Sequence, residues 1–439
     1  MGILLSKGIA PLFAVAALGV LFLRVFRDRA LPVQPGLVLY SLASLVGWSL
    51  LSWFWSINPD ETLKTGLSLA ATLFGGVVLF AAGARLDGRE KEIFRNGILL
   101  GGAIGFPLIA FEFATNAWLS RFLYGLADKH LFLVKGSYTP ALNAGMAATA
   151  LFFCPWALAL WSRFRGPVAG LGIAAALGLI LLSDSDSVVF GIAAGAGAFA
   201  LGLAMPRMMP WVLGALVSAG VLLAPMIPER LPDPMKPGPY LSWLSPSAAQ
   251  RLIIWRTTVG HIEKKPVLGE GFDAARSLYG KKDRVSLRFP DEILGRPWGP
   301  TIFEPIPLHP HNGILQVWLE LGAVGALILL GVLLAVIQSI RRFLDDKINR
   351  AAALGALTLW LGIASISFGA WQSWWLASIL LGGAFMVSVT GPFQQMREGG
   401  LGGAPKDDPD PDLEETGGPK GLEPTRYGDW ERKGRAIDF

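Results

Sequence analysis

A histidine and an asparagine, His311 and Asn312, stand together at the beginning of a long apolar segment. Gly322 and Gly325 lie on that segment, and the polar stretch 228–311 comes before it. An imidazole titrates near neutral pH, so it can exchange a proton with a substrate dissolved in water. Where a membrane helix meets water, the same ring also reaches a substrate that is anchored in lipid. This junction is therefore the place in the chain where chemistry is expected.

The composition predicts that most of the remaining chain is membrane. The 439 residues are 52% hydrophobic and 16% charged, and their mean hydropathy is +0.48. A soluble protein carries about 25% charged residues. The net charge of +5 is spread over short loops rather than gathered into a basic patch, which predicts no binding to nucleic acid.

The chain has a single cysteine, Cys154, within the apolar run 150–157. It has no partner for an internal disulfide, and the sequence has no cluster of cysteine and histidine with the spacing of metal ligands. We therefore expect Cys154 to be a buried structural thiol, and we expect neither a bound metal nor a cofactor.

Eleven segments have the length and apolarity of a membrane helix, because a bilayer core about 30 Å thick is crossed by about 20 residues. They lie near residues 9–25, 34–55, 63–84, 96–114, 138–161, 167–182, 187–204, 210–227, 312–339, 351–369 and 373–393. The N-terminal residues have no clear small-residue cleavage site, so the first segment is expected to be an uncleaved span. The sequence therefore predicts an all-α polytopic membrane protein with about 11–12 transmembrane helices.

Positive charges alternate between successive loops, and cytoplasmic loops carry the excess. The cations occur at every second loop: Arg24, Arg27, Arg29, Arg85, Arg89, Lys91, Arg95, Arg163, Arg165, Arg207, Arg341, Arg342, Lys347 and Arg350. The loops 56–61, 183–187 and 369–373 lie between them and have few cations. This alternation puts the C-terminus in the cytoplasm and the 228–311 loop outside, which in the inner membrane of a Gram-negative cell is the periplasmic side.

Four regions follow from the pattern: N-terminal membrane helices over 1–227, one large extracytoplasmic loop over 228–311, C-terminal membrane helices over 312–393 and a tail over 394–439. The loop begins rich in proline and becomes helical ahead of Pro266. Residues 115–137 mix aromatic and basic side chains, as an interfacial amphipathic helix does. The tail is rich in glycine, proline and charged residues, which predicts a disordered cytoplasmic extension.

The pattern of His311, Asn312, Gly322 and Gly325 resembles the signature of the O-antigen ligase and polysaccharide polymerase family of bacterial inner-membrane glycosyltransferases. Three further stretches match that family in order: S-W-F-W-S-I-N-P at 52–59, R-L-I-I-W-R followed by P-V-L-G-E-G-F within 251–272, and the small-residue helix at 183–200. The similarity spans nearly the whole membrane portion. It implies a GT-C-like membrane glycosyltransferase whose active site faces the periplasm.

The resemblance implies transfer of a glycan from an undecaprenyl-diphosphate carrier to a hydroxyl group of an acceptor sugar, without a nucleotide sugar or a metal. The acceptor would be lipid A–core or a growing polysaccharide. Because the leaving group is a lipid diphosphate, a fixed guanidinium near the membrane surface would stabilise the developing charge. The acceptor hydroxyl is a poor nucleophile, so a base with a pKa near neutrality would help.

The resemblance makes His311 the candidate catalytic base, because it corresponds to the family's essential histidine. Its place at a helix N-terminus should favour the neutral, proton-accepting imidazole. Asn312 and Gln316 lie on the first turns of the same helix, where they would orient His311 or bind sugar hydroxyl groups. His309 matches no motif and is expected to be a loop residue. Glu320 is expected to be either a functional relay or a neutral acid bonded to a neighbouring helix.

Arg251 is the candidate for binding the diphosphate, since it corresponds to the family's loop arginine ahead of an L-x-x-W pattern. Arg256 is a second candidate on the same helix. The two positions lie about 140° apart around a helix axis, so both cannot face one ligand unless the helix bends. The alternative for each is a solvated arginine on a surface helix.

One position departs from the family pattern. The family commonly has an arginine at the end of a T/S-x-S-R turn between two membrane helices, and here that turn is Ser183, Asp184, Ser185 and Asp186. Carboxylates cannot directly hold a diphosphate, so either another cation replaces the arginine, with Lys135 as the candidate, or the donor is held in a different way. The aspartates would instead bind acceptor hydroxyl groups or cap the following helix, a position that Asp favours.

Three functions remain open on the sequence: a ligase that joins a completed glycan to lipid A–core, a polymerase that adds repeat units on the same carrier, and a lipid-linked glycan flippase or transporter. Ligase and polymerase share the donor, so nothing in the sequence separates them. Transporters usually have interrupted helices with polar groups near mid-membrane in both halves. Here the polar residues gather on one external loop and its helix, which favours chemistry at the membrane surface.

Overall fold

The structure is a computed structural model of the chain, and it describes residues 6–28, 36–126, 131, 136–183, 185–231, 233–234, 246–287, 301–390, 430–431 and 436–437. One compact unit extends over Met1–Gln394 and a second over Gln395–Phe439. The described part of the first unit is predominantly α-helical.

The described α-helices are α1 (Ile9–Asp28), α2 (Leu37–Leu51), α3 (Pro59–Ala84), α4 (Gly88–Ala114), α5 (Trp118–Leu126), α6 (Asn143–Phe164), α7 (Gly166–Leu181), α8 (Asp186–Ala204), α9 (Met209–Leu222), α10 (Ile227–Arg230), α11 (Pro246–Lys264), α12 (Ala275–Leu278), α13 (Gly313–Phe343), α14 (Lys347–Ala364) and α15 (Ser373–Thr390). In the first unit, β1 (Val285–Leu287) pairs antiparallel with β2 (Thr301–Phe303). In the second unit, β3 (Trp430–Glu431) pairs antiparallel with β4 (Ala436–Ile437).

The all-α polytopic membrane class predicted from the sequence is confirmed, and each of the eleven predicted segments contains one of these helices. Fewer of them satisfy the length and composition of a complete span. Eight described helices do so, or nine if α9 and the bent segment Ala224–Arg230 after it form one span. Helix α7 has only 16 residues, and α14 has Lys347 and Arg350 in its first turn. The predicted count of 11–12 is therefore higher than the count of full-length apolar helices.

The starts of α3 and α4 are fixed by local side-chain caps. Helix α3 begins with Pro59 after Asn58, whose side-chain oxygen accepts a hydrogen bond from Glu61 N at 3.3 Å. Helix α4 has a reciprocal capping box between Asp87 and Glu90. Such caps satisfy backbone N–H groups that a helix leaves without a partner in its first turn.

Small residues allow α8 and α14 to pack closely. A Cβ atom on Gly195 would lie 2.8 Å from the carbonyl oxygen of Gly355, and one on Gly202 would lie 3.0 Å from the Cβ atom of Ala351. Close backbone approach at small residues is the usual way in which membrane helices associate. The small-residue helix noted in the sequence is thus an interface between two helices.

Helix α13 is broken at Gly322, whose backbone has φ 63° and ψ −164°. A break frees backbone groups that the bilayer cannot solvate, so they need partners within the protein. The segment 266–271 supplies them: Glu270 N donates to Leu319 O at 2.9 Å, and Ala323 N donates to Pro266 O at 2.8 Å. The signature glycine therefore marks the place where the loop ahead of α13 enters that helix.

Two predicted segments lie partly outside the described residues. Among the described residues of the interfacial helix expected over 115–137, nine form α5, which follows Asn116 and Ala117 with their positive φ values of 52° and 60°. Residues 127–130 and 132–135 lie outside the described residues. In the tail predicted to be disordered, the described residues form the short pair β3 and β4, and the rest lies outside the described residues.

Candidate active site

The segment 52–62, which carries the S-W-F-W-S-I-N-P motif, holds the loop that enters α13. Ser52 Oγ accepts a hydrogen bond from Phe272 N at 2.9 Å, and Thr62 Oγ1 donates to Phe272 O at 2.7 Å. Ile57 N donates to Glu270 O at 3.2 Å. Two of the family-like stretches, distant in sequence, therefore form one structural unit beside α13. We call the ends of α3, α13 and α15 that meet residues 246–311 the loop face.

His311 lies at the loop face, immediately ahead of α13. Asn312 is the N-cap of that helix, and its Oδ1 accepts hydrogen bonds from Ile314 N at 3.1 Å and Leu315 N at 3.0 Å. His311 itself has a positive φ of 54°, a backbone conformation that non-glycine residues rarely adopt. The cap and this unusual φ together fix the backbone at the point where α13 begins.

The Nδ1 atom of His311 lies 2.8 Å from the backbone carbonyl oxygen of Ser367, between α14 and α15. A carbonyl oxygen only accepts, so Nδ1 carries the proton in this bond. In a neutral imidazole the other nitrogen, Nε2, is then unprotonated. His311 therefore presents a proton-accepting Nε2 atom.

His309, which matched no motif, lies against His311. The two rings meet edge to face with centroids 4.4 Å apart, and His311 N donates to His309 Nδ1 at 3.2 Å. This bond leaves His309 Nδ1 unprotonated and helps to hold the positive φ of His311. Gly369 lies beside the His309 ring, where a Cβ atom would come within 2.9 Å. His309 is thus a loop residue, as expected, but one that supports the candidate base.

Burial keeps both imidazoles neutral. It lowers the pKa of His311 below the ordinary 6.5, and the positive charge of Arg251 adds to that effect, while the hydrogen bond to Ser367 opposes it. Burial also lowers the pKa of His309 to about 3. A neutral His311 was expected from the sequence because of its place at a helix N-terminus. In the structure the main cause is burial, since a low-dielectric surrounding disfavours the imidazolium.

Arg251 is the cation whose charge reaches His311. Burial lowers the pKa of this guanidinium, and the negative charge of Asp186 opposes the shift. Arg251, Asp186 and His311 are therefore brought together from α11, α8 and the start of α13. The sequence left Asp186 as either a helix cap or a ligand for hydroxyl groups. The N-cap of α8 is Ser185, and Asp186 is the first residue of the helix, close enough to act on Arg251.

Arg256 faces elsewhere, as the angle between the two positions predicts. Its Nη2 atom donates to Leu231 O at 2.6 Å, and its Nη1 atom lies 3.9 Å from a carboxylate oxygen of Asp233. This arginine is therefore bonded to the beginning of the 228–311 loop. Lys135 and Asp184 lie outside the described residues.

Gln316 is turned inward, with only 2% of its surface exposed. Its Oε1 atom accepts a hydrogen bond from Ala370 N at 2.8 Å, and its Nε2 atom donates to Glu320 at 3.0 Å. Both ends of its amide are therefore bonded within the protein, an arrangement that suits the orienting role among the two considered for Gln316.

An ion-paired cluster next to the histidines was missed in the sequence. Asp273 is 1% exposed, and its Oδ2 atom accepts hydrogen bonds from Thr65 Oγ1 at 2.8 Å and Arg276 Nε at 2.9 Å. Arg276 also lies 3.3 Å from Glu61 on α3, and its charge lowers the pKa of His309. The spacing of Asp273 and Arg276, one helical turn apart after the G-E-G-F motif, was the available signal. Its partners on α3 could come only from the fold.

One family model matches the central part of the chain. Residues 150–330, which include α11, the inserted loop and the first half of α13, match the model described as O-antigen ligase. This match and the curated relatives support a relationship to the O-antigen ligase family. The described residues hold no group of three or more His, Cys, Asp or Glu side chains that could bind a metal ion.

Relatives from Rickettsia are similar to this chain over about three quarters of its length. The chain is 28% identical over 331 residues to a Rickettsia felis protein named "Putative polysaccharide ligase", and this covers 75% of each chain. It is also 28% identical over 341 residues to a protein of the same printed name from Rickettsia typhi, covering 76% of each. These similarities extend well beyond the segment that the family model matches.

The tail has a separate similarity. Residues 402–439 match the model of a second family, described as a protein of unknown function, DUF1674. A UPF0369 protein of Rickettsia felis is 66% identical over 29 residues, which are 7% of this chain and 37% of that protein. One from Rickettsia prowazekii is 72% identical over 25 residues, which are 6% of this chain and 32% of that protein. The tail is thus similar to a second family, apart from the residues that match the O-antigen ligase model.

Proposed function

We propose that this protein is a metal-independent glycosyltransferase that moves a glycan from an undecaprenyl-diphosphate carrier to a hydroxyl group of an acceptor sugar, as an O-antigen ligase acting on lipid A–core. The observation that carries the proposal is the bond between His311 Nδ1 and Ser367 O at 2.8 Å, because it leaves Nε2 as a proton acceptor. Similarity to the O-antigen ligase family supports glycan transfer as the reaction that this acceptor serves.

In the proposed reaction, Nε2 of His311 accepts the proton of the acceptor hydroxyl. The hydroxyl oxygen bonds to the anomeric carbon of the donor glycan as the bond from that carbon to the diphosphate oxygen breaks. The electron pair of the broken bond stays on the diphosphate. General bases of this kind contribute about 10²–10⁴-fold to a rate.

Arg251 is proposed to bind the departing diphosphate, because guanidinium groups hold phosphate oxygens with two parallel hydrogen bonds. The guanidinium is largely buried, and the negative charge of Asp186 favours its cationic state by raising its pKa. A charge that is already positioned needs no reorganisation as the reaction proceeds. Asn312 is assigned to holding the chain direction after His311, since its oxygen caps α13. The site is proposed to face the periplasm from a bacterial inner membrane, in agreement with the charge pattern of the loops.

A transporter is less consistent with the break in α13. In transporters, unwound helices expose backbone groups to a cavity and bind ions or substrate there. Here the backbone atoms freed at Gly322 are bonded by residues 266–271. The break therefore anchors a loop at the face where His311 lies, which favours chemistry over transport.

The test is a His311→Ala variant in a host that lacks its own copy of the gene, with surface glycans separated by size on a gel. We expect membrane expression like that of the wild type together with loss of glycan joined to lipid A–core and accumulation of polymer on its carrier. Single capped repeats in place of polymer would assign the polymerase reaction instead. Wild-type glycan in the variant would refute the proposal, and so would strict dependence of the purified enzyme on a divalent ion.

A further inference from the structure

The carboxylate of Glu320, within the membrane-spanning helix α13, is fully buried and accepts hydrogen bonds from donors on three segments. Asp273 N donates to Oε2 at 2.8 Å, and Ala275 N lies 3.4 Å from Oε1, both from the loop that enters α13. Trp371 Nε1 donates to Oε2 at 2.6 Å. Gln316 Nε2 donates to Oε1 at 3.0 Å. A buried carboxylate can be retained at such a place only if its oxygens are satisfied in this way.

Two of these bonds lead to the short segment between α14 and α15. Trp371 is bonded to Glu320 directly, and Ala370 N donates to Gln316 Oε1, whose amide nitrogen is in turn bonded to Glu320. The same segment contains Gly369, which lies against the His309 ring, and Ser367, whose carbonyl oxygen accepts from His311. Residues 367–371 are thus anchored to Glu320 at one end and meet both histidines at the other.

The position of the Ser367 carbonyl decides which imidazole nitrogen carries the proton. A histidine acts as a base through one nitrogen only if the other nitrogen is held as the donor. If the carbonyl oxygen moved, the proton of His311 would distribute between the two nitrogens. Control over residues 367–371 is therefore control over the fraction of His311 that can accept a proton at Nε2.

We propose that Glu320 is a positioning residue whose buried carboxylate holds residues 367–371, so that the Ser367 carbonyl fixes the proton of His311 on Nδ1. The catalytic consequence rests on the proposed function, whereas the tautomer can be measured without it. This positioning role differs from both roles that the sequence left open for Glu320, which were a functional relay and a neutral acid bonded to a neighbouring helix.

The test measures the tautomer by nitrogen-15 magnetic resonance of histidine-labelled protein in lipid nanodiscs. The chain has four histidines, so the ring signals are few, and a His311→Gln sample identifies those of His311. We expect the wild type to have the Nδ1–H tautomer. In Glu320→Gln an amide N–H would face at least one of the four N–H donors, and we expect His311 to become a mixture of tautomers.

Glu112→Gln is the matched control, because Glu112 is also a fully buried glutamate that accepts backbone bonds, from Leu119 N at 2.8 Å and Ser120 N at 3.0 Å. We expect its His311 signals to equal those of the wild type. Trp371→Phe is a second variant that removes one donor and leaves the carboxylate in place. The proposal would be overturned if a folded Glu320→Gln or Trp371→Phe variant kept the Nδ1–H tautomer unchanged. It would also be overturned if Glu112→Gln changed the tautomer to the same degree.

A kinetic measurement on the same samples separates this inference from the proposed function. In Glu320→Gln we expect kcat to fall by about tenfold to about 10⁴-fold, the latter being the loss when a general-base histidine is left in the wrong tautomer. The KM for the lipid-diphosphate donor should stay unchanged. A His311→Ala sample as active as the wild type would refute the glycosyltransferase mechanism and leave the tautomer result standing. Wild-type kcat in a folded Glu320→Gln sample would refute the positioning role alone.

Discussion

Gly322 packs so closely on Val267 that a Cβ atom on the glycine would overlap the carbonyl oxygen of Val267. The glycine also has a φ of 63°, which side-chain-bearing residues rarely adopt. Both constraints arise because the loop ahead of α13 enters the helix at this point. Within the family-like pattern of His311, Asn312, Gly322 and Gly325, the glycine Gly322 thus has a structural role, whereas His311 is the candidate for the chemistry.

Gly322→Ala should therefore destabilise the protein. Backbone strain alone costs about 1–3 kcal/mol, and displacement of the loop at residue 267 adds to it. We expect a lower midpoint of thermal unfolding in detergent and weaker activity. Gly331→Ala on the same helix is the control, because nothing lies within 4 Å of its Cβ position. Equal midpoints for the two variants would contradict this account of the break.

Asn312→Ala should weaken the start of α13. Loss of an N-cap side chain costs about 0.5–2 kcal/mol, and here the cap also fixes the chain just after His311. We expect a lower unfolding midpoint together with a reduced kcat. Asn312→Asp keeps an oxygen that can accept from Ile314 N and Leu315 N, so it should restore most of the stability. A stable but inactive Asn312→Asp variant would instead indicate direct contact with substrate.

The two arginines of α11 should respond differently to the same substitution. Arg251→Lys keeps the charge and loses the paired geometry for a diphosphate, so we expect the KM for the donor to rise about tenfold or more. Arg256 is bonded to Leu231 and Asp233, so Arg256→Lys should change stability more than donor binding. Steady-state kinetics with a polyprenyl-diphosphate-linked glycan would compare them. If the KM for the donor rose more in Arg256→Lys than in Arg251→Lys, Arg256 rather than Arg251 would be the residue that binds the diphosphate.

The rate should depend on pH through His311. Only the unprotonated imidazole accepts a proton, so kcat/KM should fall as the pH drops below the pKa of His311. Burial and Arg251 lower that pKa from 6.5, so the acid side of the profile should lie below the pH at which an exposed histidine titrates. His309, with a pKa of about 3, should stay neutral throughout.

The pH profile has its own control. Replacement of Arg251 by Gln removes a positive charge that lowers the pKa of His311, so the acid side should move to higher pH. A profile that stays in place in Arg251→Gln, while the KM rises, would mean that Arg251 binds substrate without acting on the imidazole.

The fold class could be predicted from the sequence because membrane helices are recognised by their length and apolarity. All eleven predicted segments contain helices, although α7 is short and α14 begins with charged residues. The break in α13 was not predicted. A single glycine in an apolar run looks the same whether the helix continues through it or is entered by a loop, and only the partner at 266–271 distinguishes the two.

The candidate site was predicted in part. His311, Asn312 and Arg251 were named from their motifs, and the structure brings His311 and Arg251 near each other. Arg256 and Gln316 were candidates to bind substrate, with a surface arginine and an orienting amide as the alternatives, and both are bonded to other parts of the protein. The sequence could not separate these cases, because the direction of a polar side chain depends on partners that lie far along the chain.

By itself, the sequence determined that this protein is a set of apolar helices, with an imidazole and a guanidinium placed at or next to the long polar loop 228–311, because hydropathy and residue type are local properties. The tertiary structure decided which nitrogen of His311 carries its proton. That choice depends on the Ser367 carbonyl, which lies 56 residues away in the chain. It also decided that burial is the main cause that lowers the pKa of the ring. Tautomer and burial are set by what packs around a side chain, so neither can be read from the residues next to it.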